Sequence, residues 1–420
     1  MTGPKAGNGR LPRPAPVSRI KTLFSRSIAR PVTTPIPNTA PYNGLKKTER
    51  TLPTSFYVDP AHHQRELSSI FYRHWLYVGR AETLPEPLSY RTFEIGDQSV
   101  ILVRDEDGTI RAFHNTCRHR GSRLVDPGSG KLSAKCFTCR YHAWTYGLDG
   151  RLLRVFSHRP APDFDKADYP LYDVALENWR GFLFVNLAGA AGLPFKDTIR
   201  RNWSLLDNWP FEWMRIGHVE TYRIGCNWKL FWENNSECLH CPGVHPELCD
   251  MVPIFARGLM GQRDDPNWRD NADSDDPKYR GGLIDGAVTL SLDGKAHGAS
   301  FPDLSAAERK AGQNFLSVLP GLMLIANVDF VRAYRIRPLD IGSCEVELSW
   351  LFPPETLADR SIDIMNNVAM SRLVLEQDIV VCELNQAGLA SLRHESGVLL
   401  PEEYLLKRFH DWVTAELGRP

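Results

Sequence analysis

Two short clusters, Cys117-Arg118-His119 and Cys139-Arg140-Tyr141-His142, each set a soft thiolate beside an imidazole. One strand-turn-strand length separates them, so two tight loops can present one Cys and one His each to a shared centre. The flanking sequence suits that arrangement. Arg91–Ile95, Ser99–Arg104 and Thr109–His114 read as short strands, with Asp105–Gly108 (DEDG) as a hairpin turn between the last two. A second turn at Leu148–Gly150 precedes Arg151–Phe156. Residues 85–170 therefore read as a small all-β domain with Cys and His on its loops. A short amphipathic helix is expected ahead of it at Arg65–Trp75.

Three readings of the clusters compete. Buried cysteines beside solvent histidines are common singly, but not as two pairs in so small a domain. Structural zinc accepts these ligand types, and Cys136-x-x-Cys139 has zinc-like spacing. In a Rieske [2Fe–2S] centre two Cys hold one iron and two His the other, which raises the reduction potential above that of an all-Cys cluster. Cys117-Arg118-His119-Arg120-Gly121 and Cys139-Arg140-Tyr141-His142-Ala143-Trp144, followed by a turn at Gly147–Gly150, resemble the Rieske domain of ring-hydroxylating oxygenases. The resemblance implies that Cys117, His119, Cys139 and His142 hold the cluster. The second loop of that family usually reads Cys-Pro-Tyr-His-Gly-Trp. This chain departs at Arg140 and Ala143, positions that shape the loop rather than ligate. Cys136 is then most simply a strand-core residue.

A second constellation lies in residues 227–248, NWKLFWENNSECLHCPGVHPEL. If Asn227–His240 is one helix, Glu233 and Glu237 share a face and His240 lies close to it. His245, five residues on, would sit about 140° away on a regular helix. Pro242 and Gly243 can end the helix and swing both imidazoles to one ion. Two histidines and one carboxylate with open positions form the facial triad of oxygen-activating non-haem iron. Two unrelated surface histidines beside acidic helix residues are the blander alternative.

This stretch is similar to the iron-binding helix of Rieske oxygenase α subunits. That likeness implies His240 and His245 as ligands of a mononuclear Fe(II), and Glu237 in the place of a bridging carboxylate, usually Asp. The bridge links an iron histidine to a Rieske histidine of a neighbouring subunit. The third ligand is expected on a long helix at Ile362–Leu392, where Asp378 matches the family position and Glu376 and Glu383 are rivals. The implied fold is α+β: an N-terminal all-β Rieske domain, then a catalytic domain with a curved antiparallel sheet wrapped around helices, of helix-grip type. Ser317–Pro338 and Cys344–Phe352 supply sheet strands, and Asp264–Lys278 reads as a mobile polar loop. The expected division is a disordered basic extension at 1–50, a Rieske domain with its preceding helix at 51–170, and the catalytic domain at 171–420.

The resemblance implies a terminal oxygenase, using O2 and electrons to oxidise a small molecule. Asn234–Cys241, His245–Leu248 and Gly286–Lys295 look like the branch that contains glycine betaine monooxygenases. That branch implies hydroxylation of an N-methyl group of a quaternary ammonium compound, with loss of formaldehyde. An aromatic ring-hydroxylating dioxygenase α subunit is the alternative, and an electron-transfer Rieske protein with a fused structural domain is a reading from another class. A quaternary ammonium would be recognised by aromatic faces, for which Trp232, Phe330, Tyr334 and Trp350 are possible walls, though each is more simply read as ordinary core. A betaine carboxylate would call for an arginine such as Arg332.

Charge refines the picture. The 420 residues carry 50 basic and 50 acidic side chains, yet residues 1–48 hold nine Lys or Arg and no acid. A basic tail thus precedes an acidic body, and the neutral total weighs against nucleic-acid binding. The tail suits a disordered extension, or an organellar transit peptide in place of a cytoplasmic location. No apolar run is long enough to span a membrane. Nine Cys fit a reducing compartment without a disulfide framework. No dinucleotide fingerprint is present, so a separate flavin/iron–sulfur NAD(P)H reductase is expected, and family likeness implies a homotrimer.

Overall fold

Val100, Ile101, Leu102 and Val103 are all buried, the pattern of a strand covered on both faces. In the computed structural model, which describes residues 42–158, 161–189, 192–199 and 203–419, their strand Gln98–Arg104 lies inside a four-stranded antiparallel sheet. It runs between Ile110–His114 and Ser89–Ile95, with Ser129–Lys131 beyond the latter. Ile101, Val103 and Phe113 face one core together with Cys117, Phe137 and Cys139. Val100, Leu102, Phe93 and Ile95 face a second core shared with Trp228, Phe231 and Trp350. A small three-stranded sheet, Cys136–Thr138, Thr145–Gly147 and Leu152–Arg154, carries the second Cys/His cluster.

The C-terminal part is built on a five-stranded antiparallel sheet, in the order Arg215–Ile224, Ser343–Phe352, Val331–Asp340, Leu322–Asn327, Gln313–Val318. The helix Met365–Leu389 packs against it. Trp350 Nε1 donates to Ser371 Oγ at 2.8 Å, and Arg372 pairs with Glu220 on the first strand. A long helix gripped by an antiparallel sheet, preceded by an all-β unit, is the expected α+β arrangement.

Several expectations are corrected. After a single turn at Ser55–Val58, the helix expected at Arg65–Trp75 begins at Pro60, where Asp59 accepts from the Ala61 N–H at 2.9 Å and proline starts the first turn. It ends at Phe71 in a widened turn, Tyr72 N–H to Leu67 O at 2.9 Å, rather than running to Trp75. Its Glu66 is fully buried against Lys229 and accepts from Trp228 Nε1 at 2.7 Å. The strand that follows, Leu76–Arg80, pairs with Phe182–Asn186 in a second three-stranded sheet, so hydrogen bonding crosses residue 170.

The extension expected at 1–50 is shorter at its C-terminal side. Asn43 N–H donates to Arg263 O at 3.0 Å, and Glu49–Arg50 pairs with Val398–Leu399. Residues 1–41, on which the expectation of disorder or of a transit peptide falls, lie outside the described residues. Asp264–Lys278 is not a free polar loop. Asp264 and Asp265 are buried, the first accepting from Asn43 and the second paired with Arg257. Among the described residues, no helix is long and apolar enough to cross a membrane.

Candidate metal centres and their cavity

The two Cys/His loops are conformational copies. Cys117 N–H donates to Ser122 O at 2.9 Å and Gly121 N–H returns to Cys117 O at 2.9 Å. The second loop repeats this with Cys139 N–H to Trp144 O at 2.8 Å and Ala143 N–H to Cys139 O at 2.9 Å. Each loop turns through a left-handed residue, Gly121 at φ 74° and Ala143 at φ 54°. Only glycine takes that conformation freely, so Ala143 carries strain where the usual family loop has none.

Both sulfurs are buried, while His119 is exposed and His142 half-exposed. The two imidazoles stand 4.6 Å apart between ring centroids, and His119 stacks on Trp144. Burial raises the Cys117 thiol, with the Cys117 sulfur 3.2 Å from the Tyr146 hydroxyl. On Cys139, burial is outweighed by the backbone N–H groups of Tyr141 and His142, which hold the thiol below its ordinary range. Backbone dipoles aimed at the sulfurs, two thiols inside and two imidazoles outside, fit an anionic cluster with mixed ligation. Cys136 is separate: its half-buried sulfur lies beside Thr138 Oγ1 at 3.9 Å.

The second centre departs from its expected local structure. The helix spans only Trp228–Asn234. Asn235 Nδ2 takes the Phe231 carbonyl at 2.9 Å and Ser236 Oγ the Trp232 carbonyl at 2.6 Å. These i−4 side-chain bonds mark the end of the helix, so Glu237 and His240 occupy a turn and not a helix face. Glu233 points elsewhere, accepting from Tyr57 OH at 2.6 Å and contacting His410. A single turn, Cys241–Val244, then leads to His245, which precedes the helix Pro246–Met251. Pro242 opens a new turn instead of closing the old one.

That path nevertheless brings His240, His245 and Asp378 together, with one potential ligand atom of each within 4.8 Å of the others. Asp378 Oδ1 lies 2.8 Å from His245 Nε2 and 3.5 Å from His240 Nε2. The far ring nitrogens are held from outside. His240 Nδ1 is 2.5 Å from Glu237 Oε1, and His245 Nδ1 is 2.7 Å from Gln377 Oε1. With Nδ1 donating outward, each Nε2 lone pair points at the centre, the arrangement a metal requires of histidine. Burial opposes the charge on His240, but Asp378 and Glu237 outweigh it and raise the imidazole to about 9. Burial likewise raises the Asp378 carboxyl, and the two histidines pull it back below its ordinary value. Two imidazoles and one carboxylate on one side of a cavity fit a metal with open positions. The rivals stand apart: Glu376 is exposed, and Glu383 accepts from Gly225 N–H.

The donors open on a cavity. Phe255, Met260, Leu290, Phe315, Arg332 and Tyr334 contribute to its wall. Of the aromatic candidates read from sequence, only Tyr334 reaches it. Trp232 donates to Pro320 O, Trp350 to Ser371, and Phe330 stacks on Phe352, all in the core. Leu290 belongs to the run Gly286–Lys295, whose Thr289 hydroxyl is tied to Asp329 at 2.6 Å. Gln377 has no signature in the sequence, and Asn234, whose Nδ2 is 3.2 Å from His240 Nε2, opens the run Asn234–Cys241 without a role that the run assigns to it. Amides carry no spacing signature, and only their nearness in sequence to Asp378 and Glu237 could have pointed to them. Cys238 and Cys241, flanking His240, form a disulfide with Cα atoms 4.9 Å apart, where none was expected.

Residues 74–165 match the Rieske [2Fe-2S] domain, and residues 211–418 match the catalytic domain of the ring hydroxylating alpha subunit. The glycine betaine monooxygenase oxygenase subunit of Chromohalobacter salexigens is 31% identical over 406 residues, spanning 88% of this chain and 86% of that protein. The carnitine monooxygenase oxygenase subunit of Escherichia coli is 33% identical over 49% of this chain and 54% of its own length. The fold matches the quaternary ammonium Rieske monooxygenase CntA in complex with L-carnitine, with a TM-score of 0.64 at 20% identity over 88% of this chain and 96% of that one. It also matches naphthalene 1,2-dioxygenase from Rhodococcus, with a TM-score of 0.63 at 18% identity over 88% and 95%. With both domains matched in order and donor sets suited to a [2Fe–2S] cluster and a mononuclear iron, the chain belongs to the Rieske non-haem iron oxygenases, as an α subunit of the ring-hydroxylating type.

Proposed function

We propose that this chain is the terminal oxygenase of a multi-component system that hydroxylates an N-methyl group of a quaternary ammonium compound such as glycine betaine. The observation that carries the reading is the His240–His245–Asp378 donor set opening on a partly aromatic cavity. Its 31% identical relative is named for glycine betaine. In this reading Cys117, His119, Cys139 and His142 hold the cluster within residues 51–170. His240, His245 and Asp378 hold the iron within residues 171–420. Bound there, the cluster relays electrons and the iron activates O2.

The chain's own residues do the rest. Glu237 and Gln377 fix the two imidazoles, and Glu237 serves as the bridging carboxylate toward a cluster histidine of a neighbouring copy in a homotrimer. The exposed position of His119 suits that handover. Phe255, Phe315 and Tyr334 offer ring faces to a cation that can neither donate nor accept a hydrogen bond. Overall, one N–CH3, one O2, two electrons and two protons give N–CH2OH and water. The carbinol then collapses to a tertiary amine, formaldehyde and a proton. The electrons come from NAD(P)H through a separate flavin/iron–sulfur reductase.

The test is formaldehyde release from glycine betaine and related quaternary amines, coupled to NADH through a reductase. Stoichiometric formaldehyde is expected. Diol formation from an aromatic hydrocarbon with no formaldehyde from any N-methyl compound would overturn the proposal.

A further inference from the structure

Arg332 stands on the strand Val331–Asp340, only 3% exposed, and lines the same cavity as the candidate iron ligands. Its Nε atom is buried and has no hydrogen-bond partner among the described residues. The other two buried arginines, Arg80 and Arg335, share that bare Nε but are engaged through their terminal nitrogens. Arg335, three residues on, pairs with Glu347 at 2.7 Å, and Arg80 donates to the carbonyls of Phe211 and Met214 at 2.8 and 3.0 Å. Tyr334 hydrogen-bonds to the Arg332 side chain, no carboxylate among the described residues acts on it, and burial depresses its guanidinium below the ordinary value.

The two carboxylates that share the cavity are already engaged. Glu237 is taken by His240 Nδ1 and the backbone N–H groups of Leu239 and His240, and Asp378 by the two imidazoles. A buried cation without a counter-ion is strongly destabilising. One that faces a ligand cavity finds its counter-ion in the ligand. Across the sheet, Arg332 is in register with Ile325, which is in register with Phe315. All three reach the cavity, so the guanidinium shares one wall with an aromatic ring.

We propose that Arg332 is the carboxylate anchor of the substrate pocket, so that the chain selects zwitterions carrying a quaternary ammonium and a carboxylate over plain quaternary cations. The inference rests on the N-methyl oxidation reading above and narrows it. The guanidinium holds the carboxylate through charge-assisted hydrogen bonds, and the ring faces receive the ammonium. Arg332 acts in specificity and positioning, with no part in the proton or electron inventory.

Binding to the holoenzyme, measured by calorimetry without reductase, tests this with three probes. They are glycine betaine, choline (hydroxymethyl in place of the carboxylate) and 3,3-dimethylbutanoate (a neutral tert-butyl group in place of the trimethylammonium). Glycine betaine should bind at least ~30-fold more tightly than choline, the lower range for losing one partner of a buried charge pair. Arg332→Gln should abolish that preference and leave choline within about threefold, while Arg332→Lys should restore part of it. Choline binding to the wild-type protein as tightly as glycine betaine would overturn the anchor, and needs no variant to fold. A preference that survives in Arg332→Gln would overturn it too. Binding of 3,3-dimethylbutanoate with neither ammonium probe would leave the anchor standing and remove the N-methyl reading.

Discussion

Gln377 and His245 are joined by a 2.7 Å hydrogen bond from ring Nδ1 to amide Oε1, and the next residue along the helix, Asp378, sits 2.8 Å from Nε2 of the same ring. Two consecutive helix residues thus address opposite nitrogens of one imidazole. Gln377 is in turn steadied by donating to Glu247 at 3.1 Å. Gln377→Leu should remove the constraint on tautomer and ring orientation, weakening mononuclear iron binding by roughly 10–100-fold. Iron retention after dialysis, with the Rieske absorbance as internal standard, measures it. Unchanged retention would make the amide incidental.

Asp378→Ala should leave the cluster spectrum intact and strip the mononuclear iron. Glu376→Ala and Glu383→Ala should retain it, because those carboxylates face solvent or a backbone amide. Metal analysis of the three variants decides among them, and full iron content in Asp378→Ala would reassign the third ligand.

Glu237→Gln keeps an oxygen opposite His240 Nδ1 but removes the charge. Both metal centres should stay occupied while oxidation of the reduced cluster slows by about 10-fold or more. Rapid-mixing kinetics with O2 and substrate follow that step. A wild-type rate would exclude Glu237 as the bridge.

Ala143 occupies φ 54° in the second cluster loop. An L-residue there costs roughly 1–2 kcal/mol, partly offset in a glycine variant by the greater entropy it loses on folding. Ala143→Gly should therefore stabilise the loop by about 0.5–1 kcal/mol. The denaturant midpoint for loss of Rieske absorbance should rise accordingly, and an unchanged or lower midpoint would contradict the strain.

Lys229 and Glu66 form a fully buried ion pair, with Trp228 Nε1 as a further donor to the carboxylate. Lys229→Met leaves Glu66 charged and unpaired, at a cost of about 3–5 kcal/mol. Replacing both by apolar residues should recover most of that. Urea unfolding of the single and double variants tests the non-additivity.

Much of the chemistry was legible in the sequence because it rests on rare residue types at short spacing. The two Cys/His pairs and His240 with His245 announce themselves through what they can ligate, whereas Asp378 stands out from its rivals Glu376 and Glu383 only through likeness to the long helix of the family. Their local geometry was less legible. Asn227–His240 reads as one helix by periodicity, yet Asn235 and Ser236 turn their side chains back on carbonyls four residues earlier and the helix stops at Asn234. Trp232 and Trp350, possible cavity walls but more simply core on sequence, are core, and Tyr334, read the same way, reaches the cavity, since an aromatic side chain in a strand or helix does not declare which face it takes. The cavity wall comes from Phe255, Phe315 and Leu290, far apart in sequence and gathered only by the sheet and the loops upon it.

The strand Gln98–Arg104 presents one face to the cluster loops and the other to the core around Trp228 and Trp350. Leu76–Arg80 is zipped onto Phe182–Asn186. The two redox stations of a chain are therefore bolted to a single frame. Neither can swing on a hinge to meet a partner, and a cut at residue 170 would separate strands that share hydrogen bonds. Within the chain, electron flow is then governed by chemistry at the ends of the route, such as substrate arrival or protonation, and not by one station travelling to the other.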